Sequence, residues 1–322
     1  MGWDVIVVGA GVAGLTSAVV LAERGLRVGV WTGEPPVETT SAVAGALWWP
    51  YRVEPREAAG EWALRSLTVL AGLARRPEET GVRMVDGTHA GLALDGLAPW
   101  ALRVPGLRAA GPEEIPAGYG TGVRARLPLV DMPAHLRHLQ HRLGAAGGTV
   151  TFRTLSSLAQ ATAAAPVVVN CTGLGARDLV PDPLVHPVQG QLVVVENPGV
   201  REWFVEADGA DEGRAEILHV FPQPYGLVLG GTARPHVWDR TPSPATAQSI
   251  IARCSRVHPA VGEARVLAHR VGLRPARSVV RLEAEGSVVH NYGHGGAGVT
   301  VAWGCAERAA ELVEALAPRR SG

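Results

Sequence analysis

The residues best suited to chemistry are glycines near both ends of the chain and an arginine that precedes the second group. Gly9, Gly11 and Gly14 stand in G-x-G-x-x-G spacing directly after the apolar run 5–8. Here the first glycine permits a tight turn, the second admits a pyrophosphate, and the third lets a helix pack on a strand. Free N–H groups at a helix N-terminus complete such a site. The spacing predicts a dinucleotide site formed by Gly9, Ala10, Gly11, Val12, Ala13 and Gly14.

An acidic residue about 20 positions further on completes this fingerprint by binding the ribose 2′-OH. The predicted helix 16–24 and strand 26–31 lead to Glu34, which is the acidic residue nearest to the required place. A solvated loop carboxylate is the alternative interpretation of Glu34.

The segment after this unit joins three hydroxyl side chains to a run of the smallest residues. Thr39, Thr40 and Ser41 precede the stretch AVAGAL, and the segment shows no helical period. A loop of this kind can lay its backbone along a large planar ring and donate N–H groups to it. A nicotinamide enzyme would continue with another βαβ unit instead, so the segment favours FAD. A buried loop that needs small residues only for packing is the alternative.

The second glycine turn lies in residues 288–317, where a strand leads into a predicted helix over about 299–317. Glycines 293, 295, 296 and 298 form the turn. The N-terminus of such a helix stabilises negative charge on a reduced flavin through its dipole and its unpaired N–H groups. His294, among the glycines, is either a catalytic base or a turn residue that fixes the loop through hydrogen bonds.

Three arginines stand just before this second turn, in residues 271–283. Arg274 is followed by proline in an apolar frame, which suits bidentate capture of a carboxylate. Arg277 and Arg281 are expected to pair with acids or with backbone near the cofactor. Spacing alone does not rank the three.

The amino-acid composition excludes several classes of protein. The chain has 322 residues, 30 basic and 30 acidic, and every basic residue is an arginine. The absence of lysine excludes pyridoxal-phosphate enzymes and P-loop kinases. Balanced charge gives no general attraction to nucleic acid or membranes. Three cysteines without metal-ligand spacing, and no signal-peptide pattern, predict a cytoplasmic protein without bound metal.

Together these segments resemble the D-amino-acid oxidase family. The matching stretches span residues 5–306 in order and read GAGVAGL, TTSAVAGALWWPY, VVVNCTG, GQLVVVENPG, FPQPYGLVLGGT, GLRPARSVVRLE and VHNYGHGGAGVTVAWGCA. The resemblance implies oxidation of neutral D-amino acids to imino and then 2-oxo acids, with release of ammonia. It implies FAD as cofactor, hydride transfer from the α-carbon to flavin N5, and reoxidation by O₂ to hydrogen peroxide. No side-chain base is required if the amine arrives neutral.

The resemblance also implies an architecture. The fold class is α/β, with a Rossmann-like FAD-binding domain and a second, antiparallel-sheet (α+β) substrate domain. The implied FAD-binding domain is discontinuous and comprises residues 1–51, 126–185 and 266–322. The substrate domain comprises residues 52–125 and 186–265. A homodimer is compatible with the sequence, which does not determine the oligomeric state.

Residue roles follow from the resemblance position by position. Arg274 matches the arginine that grips the substrate carboxylate, and Gly296 the glycine whose carbonyl receives the amino group. The implied flavin contacts are Thr40, Ser41, Gly45, Ala46, Leu47, Gly295, Gly296, Gly298, Val299 and Thr300. Leu155 is expected near the adenine.

Two departures from the family pattern put the substrate range in doubt. His219 stands where the family has its active-site tyrosine, and Ala215 where it has its lid tyrosine. The second carboxylate donor is then an imidazole that titrates near neutral pH, or else Tyr225 or Tyr292 replaces it. An oxidase of glycine, sarcosine or an acidic D-amino acid stays an alternative, with Arg234 and His236 as cations for an acidic side chain. A flavoprotein dehydrogenase that uses another acceptor, or one without turnover, is the remaining alternative.

Overall fold

The computed structural model describes residues 2–50, 52–206 and 216–316. Within them, fourteen strands form one large mixed sheet, flanked by helices. The strands are β1 Val5–Val8, β2 Val28–Thr32, β3 Val82–Ala90, β4 Arg108–Ala109, β5 Gly122–Val130, β6 Thr149–Phe152, β7 Val167–Asn170, β8 His186–Val195, β9 Trp203–Glu206, β10 Glu216–Gln223, β11 Gly226–Thr232, β12 Arg234–Pro235, β13 Val266–Glu285 and β14 Val288–His294.

The α-helices of the described residues are α1 Val12–Glu23, α2 Thr40–Val43, α3 Arg56–Leu73, α4 Pro77–Thr80, α5 Met132–Ala145, α6 Ala159–Thr162, α7 Ala176–Leu179, α8 Pro244–Ser255 and α9 Gly298–Leu316. The strand order is β4-β5-β3-β9-β10-β11-β8-β13-β14-β7-β1-β2-β6, and β12 pairs with β8. The α/β class with a Rossmann-like part and a second, mainly antiparallel part is therefore confirmed.

The run β14-β7-β1-β2-β6 is parallel, as expected for the nucleotide-binding part. β1 is buried on both faces because alternate side chains of a strand enter different cores. Val5 and Val7 pack in the cluster that contains Leu15 of α1 and Val301 of α9. Ile6 and Val8 pack in a smaller cluster on the opposite face, with Leu158 and Val168. An uninterrupted apolar run is what such a strand requires.

Helix boundaries differ from the predicted ones by up to one turn. α1 begins at Val12 and not at residue 16, so that Gly14 lies in its first turn. Gly25 follows the C-cap residue Arg24 and has φ +86°, the left-handed conformation that commonly ends helices. α9 covers Gly298–Leu316, close to the predicted range. Its apolar stripe, Val301, Cys305, Ala309 and Val313, is fully buried.

The segment predicted to lack helix contains two short helical turns. Residues Pro36–Glu38 form a 3₁₀ turn, and α2 follows at Thr40–Val43. A single turn is too short to produce a sequence period, which explains the wrong prediction. The chain then extends, and Leu47 forms an isolated antiparallel bridge with Leu129 of β5.

The remainder of the sheet is antiparallel except for the β3–β9 pair. The predicted domain boundary at residue 126 falls inside β5. β13 begins at the predicted boundary 266 but pairs with β8 as far as Ala276 before it pairs with β14. The division into two domains at those positions therefore stays a prediction.

Across the described ranges, none of the helices combines the length and apolar character needed to cross a membrane. No group of three or more metal-ligating side chains occurs in the same residues. All three cysteines are buried and unbridged.

Candidate active site

Both glycine turns line one cavity of about 830 Å³. This volume lies toward the upper end of the roughly 300–1,000 Å³ typical of ligand sites. The two turns lie next to each other at the helix N-termini: a Cβ on Gly298, at the start of α9, would lie 3.9 Å from Val12 Cγ1, at the start of α1. Motifs nearly 300 residues apart in sequence therefore converge in space.

The first glycine turn leaves no room for side chains. A Cβ on Gly9 would lie 2.4 Å from the Cys171 carbonyl oxygen, and one on Gly11 would lie 3.0 Å from Ser41 Oγ. The Val12 N–H donates to Ser41 Oγ at 2.9 Å, so the hydroxyl loop caps α1. Of the six residues predicted here, Gly14 is the one that does not line the cavity. Its Cβ would lie 1.9 Å from the Gly9 carbonyl oxygen, so Gly14 allows helix–strand packing and makes no cavity contact.

One end of the cavity carries the charged groups expected around a ribose. Glu34 and Leu155 line it, as predicted, together with Arg153 and Arg240, which the sequence did not reveal. Burial raises the pKa of the Glu34 carboxyl, and the charge of Arg240 opposes that rise. The guanidinium of Arg153 lies 4.1 Å from the centre of the Trp31 ring. The end therefore offers a carboxylate acceptor close to cationic groups.

Three consecutive residues that line the cavity have backbone N–H groups without a partner in the described residues. In the described residues, the N–H groups of Gly45, Ala46 and Leu47 donate no hydrogen bond to the chain. All three residues line the cavity and are partly buried. Buried N–H groups normally have a partner. A planar ring rich in hydrogen-bond acceptors, such as a flavin, can accept hydrogen bonds from these N–H groups, so this segment fits FAD.

Thr40 and Ser41 also line the cavity, and their hydroxyls anchor the loop. Ser41 binds α1 as described, and the Thr40 hydroxyl donates to the Leu273 carbonyl oxygen at 3.0 Å. This bond fixes the loop to β13, one residue before Arg274.

The second glycine turn also presents backbone to the cavity. Gly295, Gly296, Gly298, Val299 and Thr300 all line the cavity. The Thr300 hydroxyl donates to the Trp49 carbonyl oxygen at 3.1 Å, which joins α9 to the end of the flavin loop.

The structure favours one of the two predicted interpretations of His294, the structural one. His294 lines the cavity, but its Nε2 lies 3.0 Å from Asn291 Oδ1, and burial lowers its pKa to about 4. A neutral imidazole held by its neighbour is suited to fixing the turn.

The structure ranks the three arginines. Arg274 lines the cavity, whereas Arg277 and Arg281 do not. The Arg274 guanidinium donates to the Thr232 carbonyl oxygen at 2.9 Å. It lies where a side chain on Gly190 would be, because a Cβ there would lie 2.4 Å from Nη1. Gly190 of β8 therefore makes room for the cation.

Arg277 and Arg281 pair with acids, as expected. Arg277 Nε lies 2.9 Å from Asp182 Oδ2. Arg281 binds Glu283 and Glu285.

Neither Arg234 nor His236 lines the cavity. Arg234 donates to the Thr246 hydroxyl, and His236 stacks on His186 with ring centres 4.5 Å apart. The two cations considered for an acidic substrate are therefore elsewhere.

His219 lines the cavity but does not titrate near neutral pH, contrary to the prediction. Burial, with the charges of Arg274 and Arg253, lowers its pKa to about 3. Its ring stacks on Phe221 with centres 4.5 Å apart, and its Nε2 is buried without a hydrogen-bond partner. A neutral imidazole can donate one N–H, but it brings no charge.

The hydroxyls of Tyr292 and Tyr225, the alternatives to His219 as second carboxylate donor, already form hydrogen bonds to other side chains. The Tyr292 hydroxyl donates to Asp182 and accepts from Arg281. The Tyr225 hydroxyl accepts from Arg270 at 3.2 Å, and this tyrosine does not line the cavity. The position of Ala215 lies outside the described residues.

Of the residues that form the floor of the cavity, sequence reasoning found His219 and missed the others. His89, Val205, His219, Gly230 and Leu192 are successive paired partners across β3, β9, β10, β11 and β8. Paired residues project to the same face of a sheet, and the four with side chains line the cavity. No local signal marks residues that only the sheet register brings together.

The chain matches the DAO family, described as FAD dependent oxidoreductase, over residues 4–312. It is 59% identical over 315 residues to a D-amino-acid oxidase of Streptomyces coelicolor, with 96% of each chain covered. It is 47% identical over 319 residues to a D-amino-acid oxidase of Rubrobacter xylanophilus, with 96% of this chain and 95% of the relative covered.

The fold is also that of a solved glycine oxidase from Geobacillus kaustophilus. The TM-score is 0.81 at 19% sequence identity, with 97% of this chain and 95% of that chain covered. At this identity the likeness concerns the fold alone.

Proposed function

The chain belongs to the DAO family of FAD dependent oxidoreductases, and from this premise we propose that it is a D-amino-acid oxidase for neutral substrates. One observation carries the proposal: Arg274 reaches over Gly190 into the same cavity that both glycine turns line. A carboxylate binder thus lies beside a nucleotide site. A close relative of matching length is named for this activity.

The residues that would hold FAD supply mostly backbone contacts. Gly9 to Ala13 and the N-terminus of α1 would receive the pyrophosphate, Glu34 the ribose, and Leu155 the adenine side. The N–H groups of Gly45, Ala46 and Leu47, with the N-terminus of α9, would hold the isoalloxazine. When bound, FAD supplies the two-electron acceptor for the hydrogen on the substrate α-carbon.

Arg274 would orient the substrate by binding its carboxylate. A guanidinium presents its N–H donors in a planar fork that matches a carboxylate. The Gly296 carbonyl would accept a hydrogen bond from the amine. The neutral imidazole of His219 would add an N–H donor without a second positive charge.

No side-chain base is needed, and positioning supplies most of the rate. His294 is neutral and held by Asn291. The amine must therefore arrive unprotonated, with its proton lost to solvent before the α-carbon reacts. Binding the carboxylate and the amine at two fixed points would aim the α-hydrogen at the flavin wall.

The cavity floor favours an uncharged substrate side chain. Val205 and Leu192 are apolar, and burial lowers the pKa of His89 to about 4, so this imidazole is also neutral. Arg52 lines the cavity beside the second glycine turn, and an acidic side chain that used it would appear as a preference for D-aspartate.

We also propose O₂ as the acceptor, a cytoplasmic location, a homodimer and the two-domain division given above. The free cysteines support the location, because thiols persist in reducing compartments.

The test is an anaerobic titration of the purified yellow protein with D-alanine, L-alanine and D-aspartate. D-Alanine should bleach the flavin absorbance, and L-alanine should not. Admitting O₂ should restore the colour and release hydrogen peroxide. Bleaching without reoxidation would indicate a dehydrogenase, and a colourless protein that takes up no FAD would contradict the proposal.

A further inference from the structure

Gln223 connects the substrate sheet to the flavin loop. It lies on β10 and is 4% exposed. Its amide Nε2 donates to the Gly45 carbonyl oxygen at 3.1 Å and to the Val130 carbonyl oxygen at 3.0 Å. One buried amide therefore binds the loop and β5 together.

The hydrogen bond from Gln223 to the Gly45 carbonyl determines the direction of the next backbone donor, the Ala46 N–H. The Gly45–Ala46 peptide is trans, because it is not among the cis bonds of the described residues. In a trans peptide the C=O and the following N–H point in opposite directions. With the Gly45 carbonyl held on Gln223, the Ala46 N–H must point away from β10.

The neighbouring peptides are held by backbone. The Val130 N–H donates to the Ala46 carbonyl oxygen at 3.0 Å, and the Trp48 N–H donates to the Pro128 carbonyl oxygen at 2.8 Å. Gln223 is thus the side chain that holds the Gly45 carbonyl. The Ala46 residue has φ +60°, an unfavourable conformation that needs such support.

We propose that Gln223 is a positioning residue that aims the Ala46 N–H at the flavin ring. The inference rests on the proposed function, because it requires FAD in this cavity. Gln223 itself does not line the cavity, so it acts through the loop.

The experiment compares FAD affinity and the visible spectrum of bound FAD in Gln223→Met and in a matched control. Gln191→Met is that control, since Gln191 is also buried and its amide binds Ser243 backbone at the start of α8, outside the cavity. Gln223→Met should raise the Kd for FAD about three- to tenfold, the effect of one hydrogen bond. It should also shift the flavin absorption band at saturating FAD, while Gln191→Met leaves both unchanged.

Gln223→Glu separates positioning from packing, because it has the same shape. Its carboxylate would repel the two carbonyl oxygens, whereas its protonated form would donate one O–H. FAD affinity of this variant should therefore recover as the pH falls, and that of Gln223→Met should not.

Equal Kd values and spectra for wild type and Gln223→Met would overturn the inference, as would equal effects in Gln191→Met. Wild-type protein that binds no FAD would instead contradict the proposed function.

Discussion

The two ends of the cavity are built in different ways. The nucleotide end is mostly backbone: glycine turns, helix N-termini and the N–H groups of residues 45–47 surround it. The substrate end is mostly side chains: Arg274 projects from β13, and the row from His89 to Leu192 crosses five further strands.

Because of this difference, the two ends should tolerate amino-acid substitutions to different degrees. Backbone donors are lost only when the chain path changes, so the nucleotide end is sensitive to a Cβ added where the backbone is closely packed, as at Gly9 and Gly14. Side chains on a regular sheet can change without moving the backbone. Substitutions at the substrate end should therefore alter the choice and affinity of substrate while FAD stays bound.

The largest effect is expected at Gly14. A methyl group from Gly14→Ala would lie 1.9 Å from the Gly9 carbonyl oxygen, which is backbone and cannot rotate away. Since α1 must shift, we expect FAD affinity to fall at least about 100-fold, with a loss of stability of about 1–3 kcal/mol. Fluorescence titration of FAD and denaturant unfolding measure the two effects.

Gly72→Ala in α3 is the matched control, because nothing lies within 4 Å of its Cβ position. It should stabilise the protein by about 0.5–1 kcal/mol. Unchanged FAD binding in Gly14→Ala would show that the first turn is not built as described.

The next effect is expected at Arg274. Arg274→Ala should raise KM for D-alanine at least about 100-fold, because it removes a charge-assisted pair worth about 3 kcal/mol. FAD content should stay the same. Steady-state kinetics beside Arg277→Ala, whose guanidinium binds Asp182 outside the cavity, provide the comparison. An unchanged KM in Arg274→Ala would exclude its role in binding the carboxylate.

A smaller effect is expected at Gly190. The methyl group of Gly190→Ala would displace the Arg274 guanidinium, which is the flexible end of a side chain. We expect KM to rise about tenfold, part of the cost of losing a charged hydrogen bond. FAD affinity should not change. If Gly190→Ala instead lost FAD while its KM stayed unchanged, the distinction between the nucleotide end and the substrate end would be wrong.

The last effect concerns the pH dependence of stability and lies away from both ends of the cavity. Burial lowers the pKa of His135 to about 4, and its Nδ1 lies 2.9 Å from the Thr80 carbonyl oxygen. The unfolded chain binds this proton below about pH 6.5, and the folded protein does not, so acid favours unfolding. Between about pH 6.5 and 4, His135 should cost about 1.4 kcal/mol of stability per pH unit.

Urea unfolding of His135→Gln between about pH 6.5 and 4 should show a free energy of unfolding that depends less steeply on pH, by the equivalent of one bound proton. His141→Gln, at an exposed position of the same helix, is the control. A reduction of equal size in the control would contradict the assignment to the buried imidazole.

Much of the nucleotide end could be predicted from the sequence. Gly9 and Gly11 line the cavity, and so do the predicted flavin contacts of the loop and of the C-terminal turn. The single turn at Thr40–Val43 was missed because so few residues carry no period. The neutral state of His219 was also missed, since it depends on burial of the ring, which stacks on Phe221, and on the charges of Arg274 and Arg253.

The glycine turns, the small-residue loop and the apolar strand β1 could be predicted because each depends on residues close together in the chain. Which arginine enters the cavity, which histidines are neutral and which side chains form the floor became visible in the folded chain alone, because register and burial arise between strands distant in sequence. Gly190 makes room for Arg274 only after β8 and β13 have paired.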